Sequence, residues 1–132
     1  MLPSSVRDGL KTALASLTGV RIYDVVPEVL ISPCAYVGQL SIDFDLANAR
    51  GLDSADVDVV LIVDRTLEKK AQDKLDTWLA GTGSTSIKAI LEADRTLGGA
   101  VSSLRVLSAT PGELENAGVT YLAYRYRLKV YG

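Results

Sequence analysis

The stretch VDVVLIV, residues 57–63, decides the fold. An apolar run that continues unbroken from Val59 to Val63 reads as a deeply buried strand. Just upstream, Leu40, Ile42, Phe44 and Leu46 alternate with Ser41, Asp43 and Asp45. That period of two marks a strand with one apolar and one wet face. Between them NARGLDSAD, residues 48–56, reads as a loop, so the two strands predict a hairpin with a long tip.

Outward toward the N-terminus, VRIYDVVPEVLISPCAYVG carries Pro27 and Pro33. Each removes a backbone donor and pushes its predecessor toward extended geometry, which predicts an irregular, extended arm leading into a strand near Ala35. Before it, Val6, Leu10, Ala13, Leu14 and Leu17 recur at the spacing of one helical face. Ser4 and Ser5 precede that stripe and Gly19 follows it. The spacing predicts an amphipathic helix over 5–18.

Outward toward the C-terminus, Leu67, Ala71, Leu75, Trp78 and Leu79 form a second helical stripe, with Thr66 as candidate N-cap and Gly81 beyond its end. Ser84 or Thr85 can cap a short third helix carrying Ile87, Ile90 and Leu91. Residues 101–107 read as a strand, TPGELENAG (110–118) as a turn-rich connection and 119–131 as a long strand. The order helix, strands, two helices, two strands is an α+β plan. It predicts a single domain over 1–132, with a mixed or antiparallel sheet of about four to five strands packed by two to three helices. DRTL occurs at 64–67 and again at 94–97, but its surroundings diverge at once, so no repeat follows.

Composition narrows the chemistry. Histidine is absent, which removes Ser-His-Asp and Cys-His pairs and His-ligated zinc. Cys34 stands alone, so neither an intramolecular disulfide nor a Cys-rich metal site can form. It reads as a small buried or semi-buried residue, and Trp78, on an apolar stripe, as core. A formal charge of −2 gives no whole-chain field for nucleic acid or an anionic membrane. The N-terminus shows no apolar signal core and the longest apolar run falls far short of a membrane span, which implies a protein soluble as made.

Three features invite a functional reading. DRTLGGAV, residues 94–101, sets two glycines between a helix and a strand. A phosphate loop needs amides and the start of a following helix to converge on the anion, so a helix-ending corner is favoured. Asp43, Asp45, Asp53, Asp56, Asp58 and Asp64 make the hairpin acidic. Their spacing fits no calcium loop, and a solvated acidic face is the simpler account. In the last strand Leu122, Tyr124, Tyr126, Leu128 and Val130 share one face, while Arg125, Arg127 and Lys129 share the other with Tyr121 and Tyr131. That basic stripe could be a wet sheet face, a surface for an acidic partner, or a stacking platform for single-stranded nucleic acid.

These residues expose no catalytic equipment, no metal site and no cofactor site. The order of the pieces nevertheless resembles the tail terminator proteins of long-tailed bacteriophages. The features that match are the leading helix with GVRIYDVVPEVLISPCAYVG, the strand VDVVLIVDR, DTWLAGTGSTSIKAILEADRTLGGAV, and the closing VTYLAYRYRLKVYG. The likeness covers nearly the whole chain, and its most specific parts are 79–101 and the Pro-x-Ala-Tyr-Val stretch at 33–37. It implies a non-enzymatic virion protein of the neck, assembled in the host cytoplasm. Such a protein forms a ring, a hexamer, on the last layer of the tail tube, stops its growth and meets the head-side connector. DNA would pass through the lumen without specific binding, and no membrane is involved.

A closed ring needs one patch of a subunit to meet a different patch of its neighbour. Asp45, Arg50, Asp53 and Asp56 of the hairpin, with Arg125, Arg127 and Lys129 of the last strand, are the candidate interface residues. Alternatively Asp53 and Asp56 face the lumen and keep DNA from sticking. A head-closure or tube protein of the same assembly is the nearest other role. A small ligand-binding or enzymatic α+β domain is the alternative from a different class.

Overall fold

A computed structural model describes residues 2–17, 20–25, 34–44, 53–63, 73, 76–81, 83, 86–116 and 119–132. It is an α+β arrangement around a six-stranded mixed sheet. The first helix, α1, spans Pro3–Leu14 and so begins two residues before the expected start. Proline suits the first helical position, where its missing N–H has no partner to lose. The cap is Leu2, with no side-chain hydrogen bond, so Ser4 and Ser5 lie inside the helix. Val6, Leu10 and Leu14 are fully buried on its inner face.

Six strands follow the chain order β1 (Arg21–Tyr23), β2 (Cys34–Val37), β3 (Ser41–Asp43), β4 (Ser54–Val63), β5 (Ser103–Asn116) and β6 (Val119–Tyr131). They lie in the order β1-β2-β4-β6-β5, with β3 pairing β4. The pair β1-β2 is parallel and every other pair antiparallel. Residues 21–23, expected within an irregular arm, are thus a strand that adds to the anticipated four or five. Three residues carry too little pattern to announce a strand, and the neighbour β2 supplies the pairing that makes one.

The run at 57–63 lies within β4, which pairs with β2 and β3 along one edge and with β6 along the other. Both its faces are covered from Val59 to Val63, which accounts for the lost alternation there. Ser54, Ala55 and Asp56, expected in the loop, already belong to this strand. The hairpin β3-β4 forms, with Ile42 opposite Ala55. Its first strand is shorter than expected, and Phe44, expected on the apolar face, is 72% exposed just past its end. Leu46 and most of the tip lie outside the described residues, as do Thr66, Leu67, Ala71 and Leu75 of the second helical stripe.

One face of the sheet carries the main core. Val57, Val59 and Leu61 of β4, Tyr126, Leu128 and Val130 of β6 and Leu104 of β5 meet α1 together with Ile87, Leu91 and Trp78. Burying a side chain of this size contributes about 1.5–3 kcal/mol, so this layer dominates the fold's stability. Residues 76–79 are helical, and Trp78 is buried among the core residues, as expected. The Tyr126 hydroxyl donates to the Trp78 carbonyl at 3.2 Å, and burial holds that phenol well above its usual pKa. The opposite face bears a smaller buried cluster of Cys34, Tyr36, Val60, Ile62 and Ala123.

After the helical residues 76–79, helix α2 spans Ile87–Ala93. Its cap is Ser86, in place of the expected Ser84 or Thr85: the Ser86 hydroxyl accepts from the Ala89 N–H and donates to the Ala80 carbonyl. At the following corner Asp94 takes the Thr96 hydroxyl at 2.8 Å, the Gly98 N–H at 2.9 Å and the Thr96 N–H at 3.1 Å. Gly98 has φ 71°, where a side chain would be strained. The amides of Leu97, Gly99 and Val101 donate to the carbonyls of Asp94 and Thr96. With its N–H groups turned inward, the corner has nothing to offer a phosphate.

The same bonds give Asp94 a pH signature. The Thr96 hydroxyl, then the Gly98 and Thr96 amides, hold its carboxyl below the ordinary value of 3.8. A carboxyl whose pKa is depressed by folding stabilises the fold above its unfolded pKa and loses that contribution as pH falls through the folded one. Urea unfolding of Asp94→Ala is therefore expected to show its largest deficit against the parent near pH 7, and a shrinking deficit below pH about 3.8. A deficit independent of pH would assign the loss to something other than the carboxylate.

The last two strands depart most from expectation. Residues 110–116, expected as a turn-rich connection, continue β5, which stays in register with β6 as far as Asn116 opposite Val119. Pro111 is tolerated because β5 is an edge strand, where a missing N–H need not break a ladder. The register shifts between Val106 and Ser108, which makes Leu107 the extra residue of a β-bulge and leaves it 50% exposed. β6 keeps the expected alternation, with Tyr126, Leu128 and Val130 inward.

Candidate functional site: a charged ladder on the outer sheet face

Strand pairing sets the charged side chains of β4 and β6 side by side on the face away from the main core. Asp56 lies opposite Lys129 and Asp58 opposite Arg127. The Lys129 ammonium is 4.0 Å from the Asp56 carboxylate, and Arg125 leans along β6 to reach Asp58 at 3.1 Å. Asp56 and Asp58 are spaced by two on one strand and the cations by two on the next, so the period of the pleat alone stacks them.

On β5, Arg105 sits opposite Lys129, a like-charge cross-strand pair that costs stability unless a carboxylate stands near. Arg127 makes no ion pair with any described residue and is exposed. Both ladder ion pairs are partly exposed, and pairs of that kind contribute about 0–1 kcal/mol. Holding the fold together is therefore not what these charges do best.

An open groove of about 520 Å³ runs across the strands here. Asp56, Asp58, Arg125 and Arg127 line its middle, Ser108 and Thr110 come from β5, and Gln39 and Ser41 from the other flank. Beyond Thr110 and Arg125 it meets a smaller depression of about 130 Å³ that reaches Tyr36. Burial raises the Tyr36 pKa and the nearby Arg125 guanidinium partly offsets it. Hydroxyl, amide, guanidinium and carboxylate groups in this arrangement can hold a charged polypeptide or anion. Among the described residues no group of three or more His, Cys, Asp or Glu could hold a metal ion, and no helix is long and apolar enough to cross a membrane.

Of the residues singled out from the sequence, Asp56, Arg125, Arg127 and Lys129 come together in this ladder. The acidic and basic sets were expected to form two unlike surfaces, whereas Asp56 lies within the basic stripe and pairs with it. Asp53 stands at the start of β4, its carbonyl accepting the Gly132 N–H at 2.8 Å. Asp45 and Arg50 lie outside the described residues. Sequence reasoning missed Gln39, Ser41, Ser108 and Thr110. The last two are brought to the groove by the bulge at Leu107, which leaves no local signature, whereas the phase shared by Asp56 and Asp58 was visible.

The fold and the ladder define an α+β domain with a charged, accessible sheet face beside a long edge strand. No protein-family model matches the chain, and no curated protein does. Among solved structures it is similar to a chain from the virion of a native gene transfer agent particle. The two share 18% identity over 96% of this chain and 95% of that one, with a TM-score of 0.48. At that TM-score and identity the likeness carries no functional argument.

Proposed function

We propose that the chain is a single-domain structural protein of a phage-like virion, acting in the neck as a tail terminator. It assembles in the host cytoplasm into a hexameric ring on the last layer of the tail tube, halts tube growth and offers its other side to the head-side connector. DNA passes through the lumen without specific binding. The work is recognition and self-association, with no bond chemistry and no cofactor.

The sequence features shared with tail terminators, which extend over nearly the whole chain, point to this reading. The structural observation that carries it is the outer sheet face: a charged ladder that adds little to stability, beside a 14-residue edge strand with no described neighbour on its far side. An exposed edge and a charged face are the two kinds of unlike surface from which a heterologous, closing contact is built. Negative-stain images of particles lacking this protein are expected to show tails of uncontrolled length that do not join heads. Tails of normal length on leaking heads would overturn the terminator role in favour of head closure.

A further inference from the structure

We infer that the ladder end of the outer sheet face, centred on Arg127, is the docking surface for an acidic region of a second copy of this chain. The inference deepens the ring reading and rests on it for the choice of partner.

The charge distribution carries the argument. On this outer face Arg21, Arg105, Arg125, Arg127 and Lys129 share the phase of Asp43, Asp56 and Asp58. Removing those five and three from the 14 basic and 16 acidic side chains of the chain leaves nine and thirteen. The sheet face is thus positive by two charges and the remainder negative by four. A face of net positive charge on a chain whose remaining residues are net negative favours head-to-tail contact between copies and disfavours face-to-face contact.

Local geometry says where the contact centres. Asp58 is taken by Arg125, which leaves the Arg127 fork open toward the groove, with the hydroxyls of Ser108 and Thr110 lining the same space. A guanidinium binds a carboxylate through two parallel N–H donors, and adjacent hydroxyls complete the acceptor's shell. The like-charge pair of Arg105 and Lys129 gains from the same arrival, because an incoming carboxylate removes their repulsion. Nucleic acid fits less well, since two carboxylates stand inside the stripe where a phosphate backbone would run.

Sedimentation velocity of the full chain, over a range of protein and NaCl concentrations, tests this. The parent is expected to self-associate, more weakly as salt rises. Arg127→Glu is expected to weaken association at least tenfold, with Arg127→Lys in between and thermal unfolding of both close to the parent. A parent that stays monomeric at high concentration and low salt overturns the inference, as does Arg127→Glu associating like the parent. So does a parent whose stripe binds a single-stranded DNA oligonucleotide in a gel shift and loses that binding, but not self-association, in Arg127→Glu. These results are separable from the tail-length phenotype, which fails only if the terminator role itself is wrong.

Discussion

Leu61→Ala is expected to lower the free energy of unfolding by about 2–5 kcal/mol, a large part of the 5–15 kcal/mol typical of a domain. Leu61 is fully buried on β4, with Ala35 of β2 on one side and Tyr124 of β6 on the other. Deleting its branched end removes apolar contacts and leaves a space that a strand paired on both edges cannot close by shifting. Urea unfolding reads the effect as a lower midpoint with an unchanged slope. A loss below about 1 kcal/mol would show that the layer between sheet and helices repacks freely, against the rigid-core account.

Gly9→Val is expected to destabilise by about 1–3 kcal/mol, although replacing a mid-helix glycine by alanine ordinarily stabilises a helix by about 1 kcal/mol. A Cβ at position 9 would stand 2.9 Å from the Leu97 Cβ and 3.2 Å from the Leu97 carbonyl oxygen. Leu97 cannot easily give way. It holds φ 50°, is buried, and is followed by Gly98, whose N–H is tied to Asp94. Helix α1 therefore lies directly on the DRTLGG corner, and the missing side chain is what lets it. Leu97→Gly removes the opposing Cβ and suits that φ, so in the Gly9→Val background it is expected to cost less than it does alone. Thermal unfolding of the four proteins in this cycle measures the coupling, and strict additivity would remove the contact from the account.

Much of the fold was legible because it is local. The alternation of Tyr126, Leu128 and Val130 against Arg125, Arg127 and Lys129 needs only the pleat, and the stripe of Val6, Leu10 and Leu14 needs only the helical turn. The corner at Asp94 was recognisable from its glycines, while Asp94's own part in it was not, because a carboxylate folding back on two amides has no periodic signature. Proline and glycine at 111 and 112 argued for a turn, and lost to a neighbour. An edge strand draws its hydrogen bonds from one side, so β6 could hold 110–116 extended despite them. The same holds for Arg21–Tyr23, which is a strand because β2 lies beside it.

By itself, then, the sequence determined the α+β class, the apolar stripes of α1 and α2, the buried run at 59–63 and the absence of histidine-based chemistry, since each follows from residue identity or from a period of a few residues. Only the tertiary structure decided which charges meet. Asp58 and Arg125 are 67 residues apart in the chain, and register between distant strands places them 3.1 Å from each other. That register, together with the bulge at Leu107, turns an acidic hairpin and a basic strand into one ladder with Arg127 open at its groove. Pairing of this kind is set by the packing of whole strands, which no local pattern encodes.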